Sequence, residues 1–435
     1  MQRVTLRFMY MASVMMLVAC GGGAGGAGQG AFPDERFQPK PNATPQAQST
    51  STPKPKPKIK RAAKELFKLA GDAATNTPPN YDRALEYYER AYKQDKNLTL
   101  ALYNIGLVYE KKGDEQQARR FYELAGNAGI GDGWVNLGLF ALAQGDQGQA
   151  ESLFNKALSV QPLNGQAHLN LALIAKERGD SAQAMKRVRD ALKDDSSNAD
   201  AYDVLAQVYY KLGRFQLALL VTDAGISDHG PDHSGLWTTQ GLILLRQDDI
   251  IKAIRSFQRA VELDDQNFAA RLNLGLITFN YRDYEQSYQL LNEAVKLRPD
   301  HLQANLSLAV AARTLKRYDE ARQGYEKVLN IASNHPGALF NLAVLNQDYV
   351  EIPNSDFDQR RAATKAALAQ YTKVLSLAQS QSLRTKVKRR IEEAQVMIEA
   401  IDAEQEEAAA EAEAAAQERQ AEPAVDAPAS APPQN

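Results

Sequence analysis

A single cysteine, Cys20, occurs in the 435 residues. No disulfide can form within the chain, so the fold rests on burial alone, which a hydrophobic content of 44% allows. Charge of one sign is also nearly lacking in excess: 51 basic residues against 53 acidic ones leave a net −2. A chain built as a whole to coat nucleic acid would not balance in this way, and no nucleic-acid partner is expected. The mostly apolar run from Phe8 to Ala19 falls short of the roughly 20 residues that a membrane-crossing helix needs. Catalytic signatures are missing too: there is no Gly-x-Ser-x-Gly elbow, no Walker loop and no His-Glu-x-x-His helix. The sequence therefore reads as that of a non-enzyme that needs no cofactor.

What is present begins at the N-terminus. Arg3 and Arg7 precede the apolar run, a positive region followed by a hydrophobic one, as in a secretory signal. Leu17-Val18-Ala19-Cys20 resembles the bacterial lipoprotein box, in which lipid is attached to the cysteine sulfur and cleavage falls just before it. The resemblance implies a signal peptide over 1–19 and lipid attachment at Cys20. Gly21 stands where lipoproteins kept at the inner membrane usually carry aspartate, which implies export to the outer membrane, on its periplasmic face. Two or more acyl chains make such an anchor stable where one would be marginal. Residues 20–60 then read as a tether. Gly-rich sequence gives flexibility and "TPKPKPKIK" gives extended stiffness, with an r.m.s. reach of roughly 35 Å as a flexible coil. The glycine tract is no phosphate loop, because Lys-Ser/Thr does not follow it.

From residue 61 the chain repeats itself. A small residue recurs at Gly106, Gly138, Ala172, Ala206, Gly241, Gly275, Ala309 and Ala343, at intervals of 32, 34, 34, 35, 34, 34 and 34. Trp134 and Trp237 share an aromatic position before it. A second helix in each unit carries Ala118, Ala150, Ala184, Ala218, Ala253 or Ala321, followed by bulky residues such as Phe154, Phe257 and Tyr325. This pattern resembles the tetratricopeptide repeat, a helix-turn-helix unit of 34 residues. Ser287, in place of the second-helix alanine, and Thr222 with Gly225 depart from it.

The fold expected is all-α: a right-handed tetratricopeptide superhelix of about eight or nine helix pairs over 61–380, each pair burying its apolar face only by stacking on its neighbours. Leu383, Val387, Ile391, Ala394, Ile398 and Ile401 form the stripe of a capping helix. That helix, over 381–420, should project into solvent through "EEAAAEAEAAAQER", and 421–435 should be a disordered tail.

Few residues carry chemistry. His168 sits at an aromatic core position, where a packed structural histidine is expected. "DHGPDH" (228–233) gathers acids and histidines in one loop, but loops collect such residues and cysteine ligands are absent, so no metal is assigned. Asp248-Asp249 and Asp264-Asp265 fall at turns and should cap helix starts.

Asparagine recurs two residues before the small position, at Asn104, Asn136, Asn170, Asn273 and Asn341. These resemble the asparagine ladder with which tetratricopeptide proteins hold an extended peptide, the amide offering a donor and an acceptor to the ligand backbone. The opposing expectation is that they merely brace neighbouring helices. Basic residues that clamp a terminal carboxylate in chaperone-binding relatives are missing at Leu100, Asp132 and Gln166, so an internal segment is expected. Anchor and array together resemble lipoproteins of gliding-motility and type IV pilus assembly systems. The function this implies is an anchored scaffold that binds extended segments of partner proteins in an envelope-spanning machine. The alternatives are an adaptor recruiting peptidoglycan enzymes and an accessory subunit of an envelope enzyme complex.

Overall fold

The computed structural model describes residues 58–348 and 356–421, and every regular element among them is helical. The elements alternate as first and second helices of hairpins. They run α1 (Arg61–Thr75) with α2 (Tyr81–Gln94), α3 (Leu100–Lys112) with α4 (Glu115–Asn127), and α5 (Gly131–Ala143) with α6 (Gln147–Val160). Then come α7 (Gly165–Arg178) with α8 (Ser181–Asp194), and α9 (Ala199–Lys211) with α10 (Phe215–Ala224). A π-helical turn, Gly225–His229, follows. The rest are α11 (Ser234–Arg246) with α12 (Ile250–Leu263), α13 (Phe268–Asn280) with α14 (Tyr284–Leu297), α15 (Leu302–Thr314) with α16 (Tyr318–Ile331), α17 (Pro336–Asp348) with α18 (Phe357–Leu377), and a lone long helix, α19 (Gln381–Ala421). The chain divides into two compact units, one up to Val221 and one from Thr222.

Start signals are local and repetitive. Second helices begin on aspartates whose carboxylates accept the backbone N–H three residues on: Asp114 from Gln117 at 3.0 Å, Asp146 from Gln149 at 2.8 Å, Asp180 from Gln183 at 2.9 Å and Asp283 from Gln286 at 3.2 Å. Each satisfies one of the donors a helix start leaves orphaned. Asp249 caps α12 in the same way. Asp264, by contrast, lies at the end of α12 and accepts from Gln266 N, so it shapes a turn, and Asn267 caps the helix that follows. First helices begin on asparagine at Asn164, Asn198 and Asn267 and on histidine at His233, His301 and His335.

In the first unit α2, α4, α6 and α8 each pack on their own first helix and on the next one, and first helices also touch along α5, α7 and α9. Its core alternates alanines that admit close approach with rings that fill the gap: Ala118 with Tyr122, and Ala150 with Phe154, all fully buried. The small-residue register is steric. A Cβ on Gly106 would lie 2.7 Å from the Tyr122 ring, and one on Gly138 2.5 Å from the Phe154 ring. Lys60, the last residue before α1, is fixed to α2: its backbone N–H donates to Asp95 Oδ2 at 2.8 Å and its Nζ to the Gln94 carbonyl at 3.2 Å.

The second unit follows the same plan, with first helices touching along α13, α15 and α17. Phe257, Leu291, Tyr325 and Tyr371 take the filling position. Ser287, standing where alanine is usual, is fully buried and donates its hydroxyl to the Gly275 carbonyl at 2.8 Å, which removes the cost of an unmade hydrogen bond. Val387, Ala394 and Ile401, seven residues apart, are the buried line of α19 against the last pair. Arg360 to Glu404 at 2.6 Å, Arg361 to Asp402 at 2.6 Å and Arg390 to Asp348 tie α18 and α17 to it. From Glu406 to Gln417 the side chains of α19 are exposed apart from Ala408. No helix among the described residues is long and apolar enough to cross a membrane.

Candidate functional site

The five asparagines fall on first helices at one register, and the structure divides them by what each amide meets. Two of them meet the hydroxyl of the tyrosine that fills the pair beneath: Asn104 bonds to Tyr88 and Asn136 to Tyr122. Burial pushes both phenols up, and the amide draws each partly back. The other three amides, of Asn170, Asn273 and Asn341, turn to their own helix, over Phe154, Phe257 and Tyr325 respectively. Asn170 gives Nδ2 to the Gln166 carbonyl at 2.8 Å and Asn273 to the Ala269 carbonyl at 2.7 Å. Asn341 does likewise to Gly337, at 2.8 Å. Each of these three uses one amide N–H, while the side-chain carbonyl and the second N–H make no further hydrogen bond among the described residues. Asn170 is buried and the other four are half-buried.

Three residues beyond the first four asparagines, one helical step along the same face, stand Leu107, Leu139, Leu173 and Leu276, all half-buried. The face therefore combines amides with apolar side chains open to solvent on one side. At its edge in the first unit lies Lys176, with an exposure of only 5% and its Nζ donating to Gln207 Oε1. Burial holds its amine below the ordinary lysine range, opposed in part by Asp203.

The other candidates resolve into structural duties. His168 is buried, with Nε2 3.0 Å from the Pro162 carbonyl oxygen and Nδ1 3.4 Å from Arg187 Nη1. His233 spends Nδ1 accepting from Leu236 N at 3.1 Å, and Asp232 pairs with Arg259 at 3.4 Å, so the Asp-His loop is tied to helix capping and an ion pair. Among the described residues no group of three or more His, Cys, Asp or Glu side chains converges as metal ligands would. Cys20, with the segments 1–19 and 422–435, lies outside the described residues.

Comparison with known proteins turns the register into a family. Tetratricopeptide-repeat models match residues 80–129, 238–280 and 279–338, and a second such model matches 141–207. These segments together span half of the chain. The chain belongs to the tetratricopeptide-repeat family. Repeats of this family mediate protein–protein interaction, and their domains bind protein partners. None of the curated proteins matches.

Several solved structures are similar to part of the chain. One, described as a functional characterization of Pseudomonas aeruginosa pilF, is 21% identical over 48% of this chain and 95% of its own, with a TM-score of 0.43. YrrB, described as a tetratricopeptide protein with an unusual peptide-binding site, is 22% identical over 43% of this chain and 96% of its own, with a TM-score of 0.33. MamA from Desulfovibrio magneticus RS-1 is 18% identical over 42% and 96%, with a TM-score of 0.34.

Proposed function

We propose that this tetratricopeptide-repeat protein is a non-catalytic, lipid-anchored scaffold on the periplasmic face of an outer membrane. In this reading its first-helix faces hold extended segments of partner proteins in an envelope-spanning machine of the gliding-motility or pilus and secretin type. The observation that carries the groove is the recurrent amide with a half-buried leucine one step beyond it, at Asn170 with Leu173 and at Asn273 with Leu276. An amide whose carbonyl and second N–H are unspent can pair with a peptide backbone, and the leucine offers the ligand side chain an apolar seat. Support for the anchor comes from the Leu-Val-Ala-Cys box ending at Cys20, the chain's one thiol.

Two experiments test the reading. Cys20→Ala should move the protein from the outer-membrane fraction to the soluble periplasm or leave an uncleaved precursor; continued membrane association in detergent-free high-salt buffer would sink the anchor. Asn104 and Asn136 also brace buried tyrosines, so the groove is best probed at Asn170, Asn273 and Asn341. Changing these three to Ala should cut partner capture from solubilised envelope at least tenfold. The melting temperature should move by only a few degrees. Unchanged capture, or a captured set made of wall hydrolases and synthases, decides against the proposed machine.

A further inference from the structure

One long side of α19 is left uncovered among the described residues. Val387, Ala394 and Ile401 form its buried line. Away from that line the helix carries Val396, 64% exposed, with Met397 on the flank, 41% exposed, and Ala400 exposed one turn on. An open groove of about 500 Å³ runs here, its lining including Arg389, Glu393, Val396, Met397, Ala400 and Glu404. Positions 386, 389, 393, 396, 400, 403, 407 and 410 follow one another at alternate steps of three and four, the spacing of a coiled-coil seam. All of them are exposed except Glu393, which is half-buried.

Charge is segregated along this helix. Five of the seven residues from Arg384 to Arg390 are basic, and from Glu392 to Glu413 there are nine acids and no base. The bases fall in the first turns, where the helix macrodipole favours acids, so their placement does not serve the helix's own stability. Some charges are spent locally: Glu404 and Asp402 pair with Arg360 and Arg361 of α18, and Arg389 pairs with Glu393 at 2.8 Å. Lys386, Lys388 and Glu407 make no ion pair among the described residues, and the Arg389 side chain stays 81% exposed. A helix basic at its start and acidic further on complements its own copy run the other way, and the two dipoles then oppose as well. Centred on residue 398, such a pairing sets 396 against 400, 393 against 403, 389 against 407 and 386 against 410. The apolar residues then lie at the axis, and Arg389 faces Glu407. Glu399 approaches its copy on the solvent flank, where salt screens the repulsion.

We propose that this side of α19 is a self-association surface: two copies of the chain pair through it, antiparallel about residue 398, with Val396, Met397 and Ala400 at the centre and the basic stretch of each helix against the acidic stretch of the other. The contact uses the same patch on both copies, so it closes at two. It stands apart from the peptide groove, and it joins two sets of first-helix faces in one assembly.

The test uses the purified full chain with Cys20→Ala, which removes the one thiol and any lipid on it. In analytical ultracentrifugation at low salt the chain should sediment at twice its own mass, and high salt should weaken the association at least tenfold. Arg389→Glu and Glu407→Arg each turn two symmetric contacts repulsive, so each should weaken it at least tenfold. Both positions are exposed, so the melting temperature should stay put. The double variant restores opposite charges across the pair and should recover the dimer. For direction, Val396→Cys mixed with Ala400→Cys should oxidise mainly to the mixed disulfide. A chain that stays monomeric, assemblies larger than two, or a double variant as weak as the singles overturns the pairing. A predominance of 396-to-396 links overturns the antiparallel register. A monomer that takes up a peptide copying residues 53–61 assigns the face to a basic segment and overturns self-association.

Discussion

A Cβ built on Gly138 would stand 2.5 Å from the edge of the Phe154 ring, closer than a methyl group and an aromatic carbon can approach. The glycine is therefore the ring's seat. Gly138→Leu should destabilise the first unit by about 1–3 kcal/mol or more through overpacking. The same change at exposed Gln149 should be near neutral. Thermal melts of the two variants check this, and equal midpoints would refute the register.

The two units end their first helices differently. Gly113, Gly145, Gly179 and Gly213 take positive φ in the first unit, while Asp248, Arg282 and Lys316 sit at φ 62°, 65° and 61° in the second. A side chain in that region costs roughly 1–2 kcal/mol. Arg282→Gly and Lys316→Gly should each stabilise the second unit by about 0.5–1 kcal/mol, the glycine's greater freedom in the unfolded chain offsetting part of the gain. Urea midpoints measure it; no gain at either site would show that the turns are relaxed.

Histidine caps give the second unit a dependence on pH. His301 Nδ1 accepts from Ala304 N at 3.2 Å and His335 Nδ1 from Ala338 N at 3.1 Å, which only the unprotonated ring can do. Burial holds both below the ordinary histidine value, with Arg298 adding to the effect at His301. The unfolded chain therefore takes up protons first as pH falls below about 6.5, and folded stability drops from there toward the lower folded values. The melting temperature should fall between pH 7 and pH 5. His301→Asn with His335→Asn, which restores the cap used at Asn267, should flatten the decline. An unchanged slope in that double variant would remove the histidines as its cause.

Lys176 tests how much a charge on the first-helix face costs. Its amine is buried and meets a neutral amide oxygen rather than a carboxylate. Replacing a poorly compensated buried charge with an apolar chain of similar length is commonly neutral or favourable. Lys176→Met should leave the melting temperature unchanged or raise it, whereas a marked drop would mean that Asp203 secures the amine more firmly than its depressed pKa implies.

What the sequence disclosed and what it hid follow from the range of each interaction. The small-residue register was legible because Gly106, Gly138, Gly241 and Gly275 each oppose a ring or a leucine sixteen residues on, a spacing fixed within one hairpin. Aspartate caps at second-helix starts were legible in kind, since Asp249 needs only Lys252 N three residues away. The asparagine series showed its spacing but not its division of labour. An amide over phenylalanine has no hydroxyl to brace, as at Asn273 over Phe257, and a tyrosine beneath does not ensure a brace: Asn104 meets Tyr88, but Asn341, over Tyr325, turns to Gly337.

The attachment of Lys60 to Asp95 has a mechanical consequence. The two amides of Lys60 and Asn97 that converge on Asp95 hold its carboxyl below the usual carboxylate range, so the clasp stays charged across mildly acid conditions. A pull applied at residue 58 reaches that clasp before the body of α1, so α2 shares the load with α1 instead of leaving α1 to be peeled off turn by turn. Resistance to stretching is thereby placed at the start of the array.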